Sequence, residues 1–270
     1  MDDFTVVTHK KHRKNHRQKA LVHRAIPSEQ IDHETIDIDK IQNKLNDAEK
    51  FITQVGLLRS LLSALERFRI ARGLSSPICF HTVAVYGLGP FSRSYESLQQ
   101  LALVKCLKDS ADFLSPEWLF YDPIFSSCER EVLKGLGFTV LDQNDQGLRK
   151  VEHETLFYMP HCPLPLYHNL LWSNWNSLDR LIILGNSFNS IDNSLAHRQE
   201  RAEYYLFDNI LKHKFYDELP LTHQESSMPA FQDMSLHFFI PDDTKASSAD
   251  IRVNQPPSYS HNAFSDDFFL

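Results

Sequence analysis

Between Ile41 and Phe68 apolar side chains return every three or four positions, at Ile41, Leu45, Ala48, Ile52, Val55, Leu58, Leu61, Leu65 and Phe68. That period draws one apolar face along a helix of about 30 residues. Asp39 is placed to cap its start, and Gly73 followed by Pro77 to end it. Gly56 is the position at which such a helix bends or splits. With Leu57 and Leu62 added, the stripe is wider than a coiled-coil seam and suits packing on the domain that follows.

After Pro77 the pattern changes. Short β-branched or aromatic runs at 81–86, 118–121, 138–141, 156–159, 181–184 and 236–240 alternate with helical stretches at about 92–108, 125–135, 165–174 and 198–213. Apolar runs with little alternation suit strands covered on both faces, and β-α alternation suits parallel strands. The predicted fold class is therefore α/β: a three-layer, Rossmann-like, mostly parallel sheet over 77–241, preceded by a long amphipathic helix over 37–76. The chain shows no internal repeat of fixed period.

Composition adds the ends. Residues 1–24 hold seven Lys and Arg against Asp2 and Asp3, a local balance of +5 in a chain of net charge −7, so the remainder carries −12. Residues 1–36 read as a basic, disordered arm; it has no aromatic side chain after Phe4 to stack on bases, so nucleic acid is not an expected partner. Residues 242–270, rich in Ser, Asp, Asn and Pro, read as a disordered tail. No apolar run approaches the roughly 18 residues of a bilayer span, and no leader for export is evident, so no membrane role is expected. Cys79, Cys106, Cys128 and Cys162 lie far apart without a C-x-x-C pair, and reduced thiols are expected.

In open α/β sheets ligands gather outside the carboxyl ends of the strands, which makes the strand tips the place to look for chemistry. The first tip, Gly87-Leu88-Gly89-Pro90-Phe91-Ser92, has two glycines for a tight turn, a proline suited to open a helix, and amides suited to an anion. It is an incomplete dinucleotide fingerprint, because Ser92 stands where the third glycine belongs and the acid near Asp109 precedes the second strand. The second tip offers Asp122, either for ribose hydroxyls or as a cap for the next helix. The fourth, Pro160-His161-Cys162-Pro163, offers His161 as an acid–base candidate, with Cys162 beside it. No spacing completes a metal site. The fifth, Gly185-Asn186-Ser187, offers two side chains suited to ligand contact or to capping. Trp172 reads as core, and Asn169 and Asn174 as polar hooks if turned toward the strand ends. The candidate binding set is thus Gly87, Gly89, Ser92, Asp122, His161, Cys162, Asn186 and Ser187, with His161 the one catalytic candidate.

Several of these blocks occur together, and in order, in one family. Tyr121-Asp122-Pro123, Met159-Pro160-His161-Cys162-Pro163, Leu170-Leu171-Trp172-x-Asn174-Trp175, Gly185-Asn186-Ser187-Phe188 and Asp233-x-Ser235-Leu236-His237 resemble the SRR-like family, named for plants with reduced sensitivity to red light. The resemblance covers about 79–241. It implies a regulatory protein of cytoplasm and nucleus that acts through protein partners, in a family associated with circadian timing and light signalling in plants, haem biosynthesis in animals and microtubule-related processes in fungi. No cofactor, reaction or catalytic residue set comes with it. Two readings follow: a regulatory protein, with a small ligand held at the strand tips, or a nucleoside-cofactor-dependent, transferase-like enzyme using Asp122 on the ribose and His161 as acid–base.

Overall fold

The computed structural model describes residues 38–73, 80–110, 116–195, 198–222, 228–239 and 256–259. The basic arm and most of the expected C-terminal tail, as well as Cys79, lie outside that set. The amphipathic stripe forms two helices, α1 (Ile38–Gln54) and α2 (Leu57–Ala71). The break falls at Gly56, whose φ of 77° lies in the left-handed region. Ile41, Leu45, Ala48 and Ile52 of α1 and Leu57, Leu61, Leu65 and Phe68 of α2 are buried, so the single predicted face is kept across the bend. Phe68 lies flat on Phe238 of the sheet, ring centroids 3.9 Å apart. Lys105 Nζ bonds Glu49 at 3.0 Å, joining α1 to the helix after the first strand.

The chain then runs β1 (Thr82–Tyr86), α3 (Tyr95–Ser110), β2 (Glu117–Tyr121), α4 (Ser127–Gly135), β3 (Thr139–Val140), β4 (Thr155–Met159), α5 (Leu164–Ser173), β5 (Leu181–Asn186), α6 (Phe188–Ser194), α7 (Arg198–Glu203), α8 (Tyr205–His213), β6 (Tyr216–Pro220) and β7 (Met234–Phe239). The sheet order is β3-β2-β1-β4-β5-β7-β6. β1 to β5 are parallel, and β7 enters antiparallel between β5 and β6. This is the expected mostly parallel, three-layer α/β sheet, with its strand order reversing between β1 and β4.

Alternation within each strand feeds two cores. Val83, Val85, Leu156 and Phe120 pack under α1 to α4, while Ala84, Tyr86, Phe157 and Ile183 pack under α5, α6 and α8. Three details differ from the sequence expectation. The helix expected over 198–213 is broken at Tyr204 into α7 and α8. Pro90 closes a turn, with the Arg93 and Ser94 N–H groups donating to its carbonyl, and α3 starts at Tyr95 with Ser94 Oγ accepting from Ser97 N–H. Trp172, expected in the core, is half-buried.

Candidate functional site

The strand tips hold the predicted residues along one rim, and hydrogen bonds show what each is doing there. After β1 the chain turns through Gly87 and Gly89, at φ 67° and 81°. A Cβ on Gly89 would come within 2.5 Å of Ser97 Oγ, so the turn lies hard against α3 and only glycine fits. Asp122, at the tip of β2, is 4% exposed. Its Oδ2 accepts from Gly89 N–H at 2.8 Å and its Oδ1 from Ile124 N–H at 3.0 Å. Burial raises this carboxyl above its usual value, the two amides oppose the rise, and the charge of Glu129 adds to it.

Glu129, 1% exposed, repeats the arrangement one turn further on. Its Oε1 accepts from Ser92 N–H at 2.8 Å, and its Oε2 from Ser126 N–H at 2.9 Å in the capping box that opens α4. The amides of the first turn are thus filled by two carboxylates of the chain itself. Ser92 belongs to the rim through its main chain.

At the tip of β4, Cys162 is buried and donates its thiol to the Tyr86 carbonyl, Sγ to O 3.3 Å. Burial, with the charge of Asp122, pushes that thiol well above its ordinary value. A protonated thiol spent on a carbonyl is a strut between β4 and β1 and not a nucleophile. His161 is exposed, with φ 52°, and its Nε2 donates to Ala230 O at 3.2 Å. That carbonyl also accepts from Gln100 Nε2 at 2.9 Å. Asn186 Nδ2 donates to Cys162 O at 2.9 Å, which ties the tips of β4 and β5 together, and its Oδ1 is buried without a hydrogen-bond partner among the described residues. Ser187 caps α6 by accepting from Ser190 N–H, and donates its own N–H to Asp233 O at 2.6 Å. Gly185 lies within β5, where its missing side chain admits the Tyr167 hydroxyl. That hydroxyl accepts from Asn186 N–H and donates to Met159 O, at 2.8 and 2.6 Å.

The structure therefore brings the eight candidates to one rim, and most of their donors and acceptors are engaged with one another. The remaining predicted polar hooks face the loop between β3 and β4: Asn174 Oδ1 accepts from Val151 N–H at 2.8 Å, and Asn169 Nδ2 donates to Gln146 O at 2.8 Å. Under that loop the Tyr86 hydroxyl donates to Asp145 Oδ2 at 2.6 Å and accepts from Arg149 Nε at 2.9 Å.

A third internal carboxylate, like Glu129, was not found from the sequence. Glu218, on β6, accepts from Asn189 N–H at the start of α6 at 3.1 Å. Burial alone would raise its carboxyl; the approach of His237 and the hydroxyls of Ser187 and Ser235 outweigh that and hold it down at about 2. Beside it opens a cavity of about 480 Å³ whose walls include Ser187, Glu218, Asp233, Leu221, Met228 and Phe231. Of the predicted set, Ser187 is the one member on its wall. The cavity lies at the ends of β5 and β6 and the start of β7, and so reaches only the fifth of the strand tips along which the sequence reading placed a ligand. Ser126-x-x-Glu129 was a visible signal for one of the three carboxylates; Glu218 had none.

Among the described residues, no group of three or more His, Cys, Asp or Glu is arranged to hold a metal, and no helix is long and apolar enough to cross a membrane.

Residues 63–238 match the SRR1 domain family. An SRR1-like protein of Mus musculus is 38% identical over 162 residues, covering 56% of this chain and 65% of the mouse protein. An SRR1-like protein of Drosophila melanogaster is 30% identical over 243 residues, 88% of this chain and 83% of the fly protein. The Arabidopsis thaliana protein Sensitivity to Red Light Reduced 1 is 32% identical over 163 residues, 58% of each chain. The matched stretch thus spans less than two thirds of the mouse and plant proteins.

Proposed function

We propose a function from one premise: the chain belongs to the SRR1 domain family. It acts as a regulatory binding protein, working through protein partners in cytoplasm and nucleus, in the timing, light-response, haem-synthesis or cytoskeletal processes with which SRR-like proteins are associated. Its rim serves the fold, and the ligand seat this reading favours is the cavity beside Glu218.

One observation carries the reading. The amides that a nucleotide phosphate would take at the strand tips are occupied by carboxylates of the chain, Asp122 on Gly89, Glu129 on Ser92 and Glu218 on Asn189. A bound phosphate would have to displace a buried carboxylate and face its charge. Cys162 and His161, the candidates for covalent or acid–base work, donate instead to the main-chain carbonyls of Tyr86 and Ala230. The cavity joins Glu218 and Asp233 to an apolar wall of Leu221, Met228 and Phe231, which suits a small ligand carrying a cationic group on an apolar body.

Thermal shift against nucleotides, dinucleotides, S-adenosylmethionine, haem and a series of alkyl and aryl amines tests this reading. A ligand at 100 times its dissociation constant adds about 2.7 kcal/mol. Amines are expected to raise the midpoint, nucleotides and dinucleotides to leave it unchanged, and Asp233→Asn, which tolerates the local φ of 55°, to weaken the amine response. A saturable shift with a nucleoside cofactor, lost in His161→Ala, overturns the reading in favour of the transferase-like one.

A further inference from the structure

The stretch expected to be an unordered tail contains a short segment, Pro256–Tyr259, that lies against the body of the protein on the face opposite α1 to α4. Its anchor is Tyr259. The ring stacks on Tyr204 at the start of α8, centroids 5.5 Å apart and planes 29° off parallel, and meets the His168 ring edge-on at 5.8 Å. The His168 ring is in turn held edge-on by Tyr204 and Tyr205 at 5.7 and 5.3 Å.

The hydroxyl is read in both directions. His168 is fully buried, and its Nε2 accepts from Leu206 N–H at 3.4 Å, which leaves the ring proton on Nδ1. Nδ1 stands 2.9 Å from the Tyr259 hydroxyl and donates to it. The hydroxyl then has its proton for Asn169 Oδ1 at 2.7 Å, with Pro165 O at 3.3 Å. Asn169 is fixed by donating Nδ2 to Gln146 O. Every member of this relay has a direction, and reversing any one leaves two acceptors or two protons facing each other.

We propose that the pocket formed by Pro165, His168 and Asn169 of α5 with Tyr204 and Tyr205 is a peptide-binding site that reads an unmodified tyrosine, filled reversibly and in cis by the Pro256–Tyr259 segment. Two prolines ahead of the tyrosine hold the approach extended and lower the ordering cost of docking. An aromatic ring with a satisfied hydroxyl is the usual anchor of such contacts. A phosphate on the hydroxyl removes the proton that Asn169 Oδ1 requires and sets negative charge against Asn169 Oδ1 and Pro165 O, so the modified segment is refused. The inference is independent of the rim and of the Glu218 cavity.

The test is fluorescence anisotropy with a labelled synthetic peptide of residues 253–262, against the full chain carrying Tyr259→Ala and against the unaltered full chain. The peptide is expected to bind the variant saturably and the unaltered chain at least tenfold more weakly, because the cis segment occupies the seat. The peptide bearing phosphotyrosine is expected to bind the variant at least tenfold more weakly than the unmodified one. Adding Asn169→Leu to the variant is expected to weaken the unmodified peptide and to narrow its advantage over the phosphopeptide. No binding to the variant, equal binding to both chains, or equal binding of the phosphopeptide overturns the proposal.

Discussion

Asp122 is the residue on which the first turn depends. It is buried, its carboxyl is raised by that burial, and it accepts from two main-chain amides, those of Gly89 and Ile124. Asp122→Ala strands both donors, at roughly 1–3 kcal/mol for each buried group left unmade. We expect the variant to unfold at clearly lower urea than the unaltered chain, and Asp122→Asn, with one carbonyl oxygen, to recover part of the loss. Unchanged midpoints for both would mean that the turn does not need the carboxylate. The identity and position of this residue were legible: an acid at the tip of the second strand. Its employment was not, because the sequence cannot show which donor a carboxylate finds. Cys162 taught the same lesson. A His-Cys pair between prolines looks reactive on paper, and only burial against the Tyr86 carbonyl shows the thiol at rest.

At the scale of elements, periodicity was enough wherever a face was buried. α1, α2, α3 and β1, β2, β4 and β5 stand close to where apolar spacing put them. β6 escaped because Tyr216-Asp217-Glu218-Leu219-Pro220 carries two acids and a proline, the marks of an edge strand without an apolar run. α6 escaped because its seven residues carry little period, and Ser187 was read as ligand contact or cap without the helix it caps. Gly56 gives this scale its test. In a continuous helix Gly56→Ala would stabilise by about 1 kcal/mol. Here φ is 77° and an added methyl would meet nothing within 4 Å, so the same change is expected to cost about 1–3 kcal/mol through backbone strain alone. The sign of the shift in melting temperature decides between one helix and two.

For the whole molecule, acid sensitivity is expected in two stages. Burial lowers His168 from 6.5 to about 4, so between those values the unfolded chain binds the proton that the folded chain refuses, and stability falls as pH drops from 6.5 toward 4. Glu218 is held at about 2 against an ordinary 4.5, so its contribution is present above 4.5 and is lost as pH falls on toward 2. His168→Gln is expected to flatten the upper stage and Glu218→Gln the lower, read as the pH dependence of the urea midpoint; a variant whose curve keeps the shape of the parent's rules out its group as the cause. Neither group was singled out for this role by its sequence context, since a lone histidine on an apolar helix and an acid in an edge strand acquire these properties only from what folds over them.

β7, with all six residues buried, lies between β5 and β6 although it follows both in the chain. During synthesis the two strands therefore emerge first, each with a bare backbone edge turned toward a gap that remains vacant until Phe239 has left the ribosome. A nascent chain that stalls, or a message that stops early in this stretch, yields a product with two adhesive borders in place of a finished middle. The final few dozen codons of the domain thus bear on whether the preceding two hundred residues stay out of aggregates.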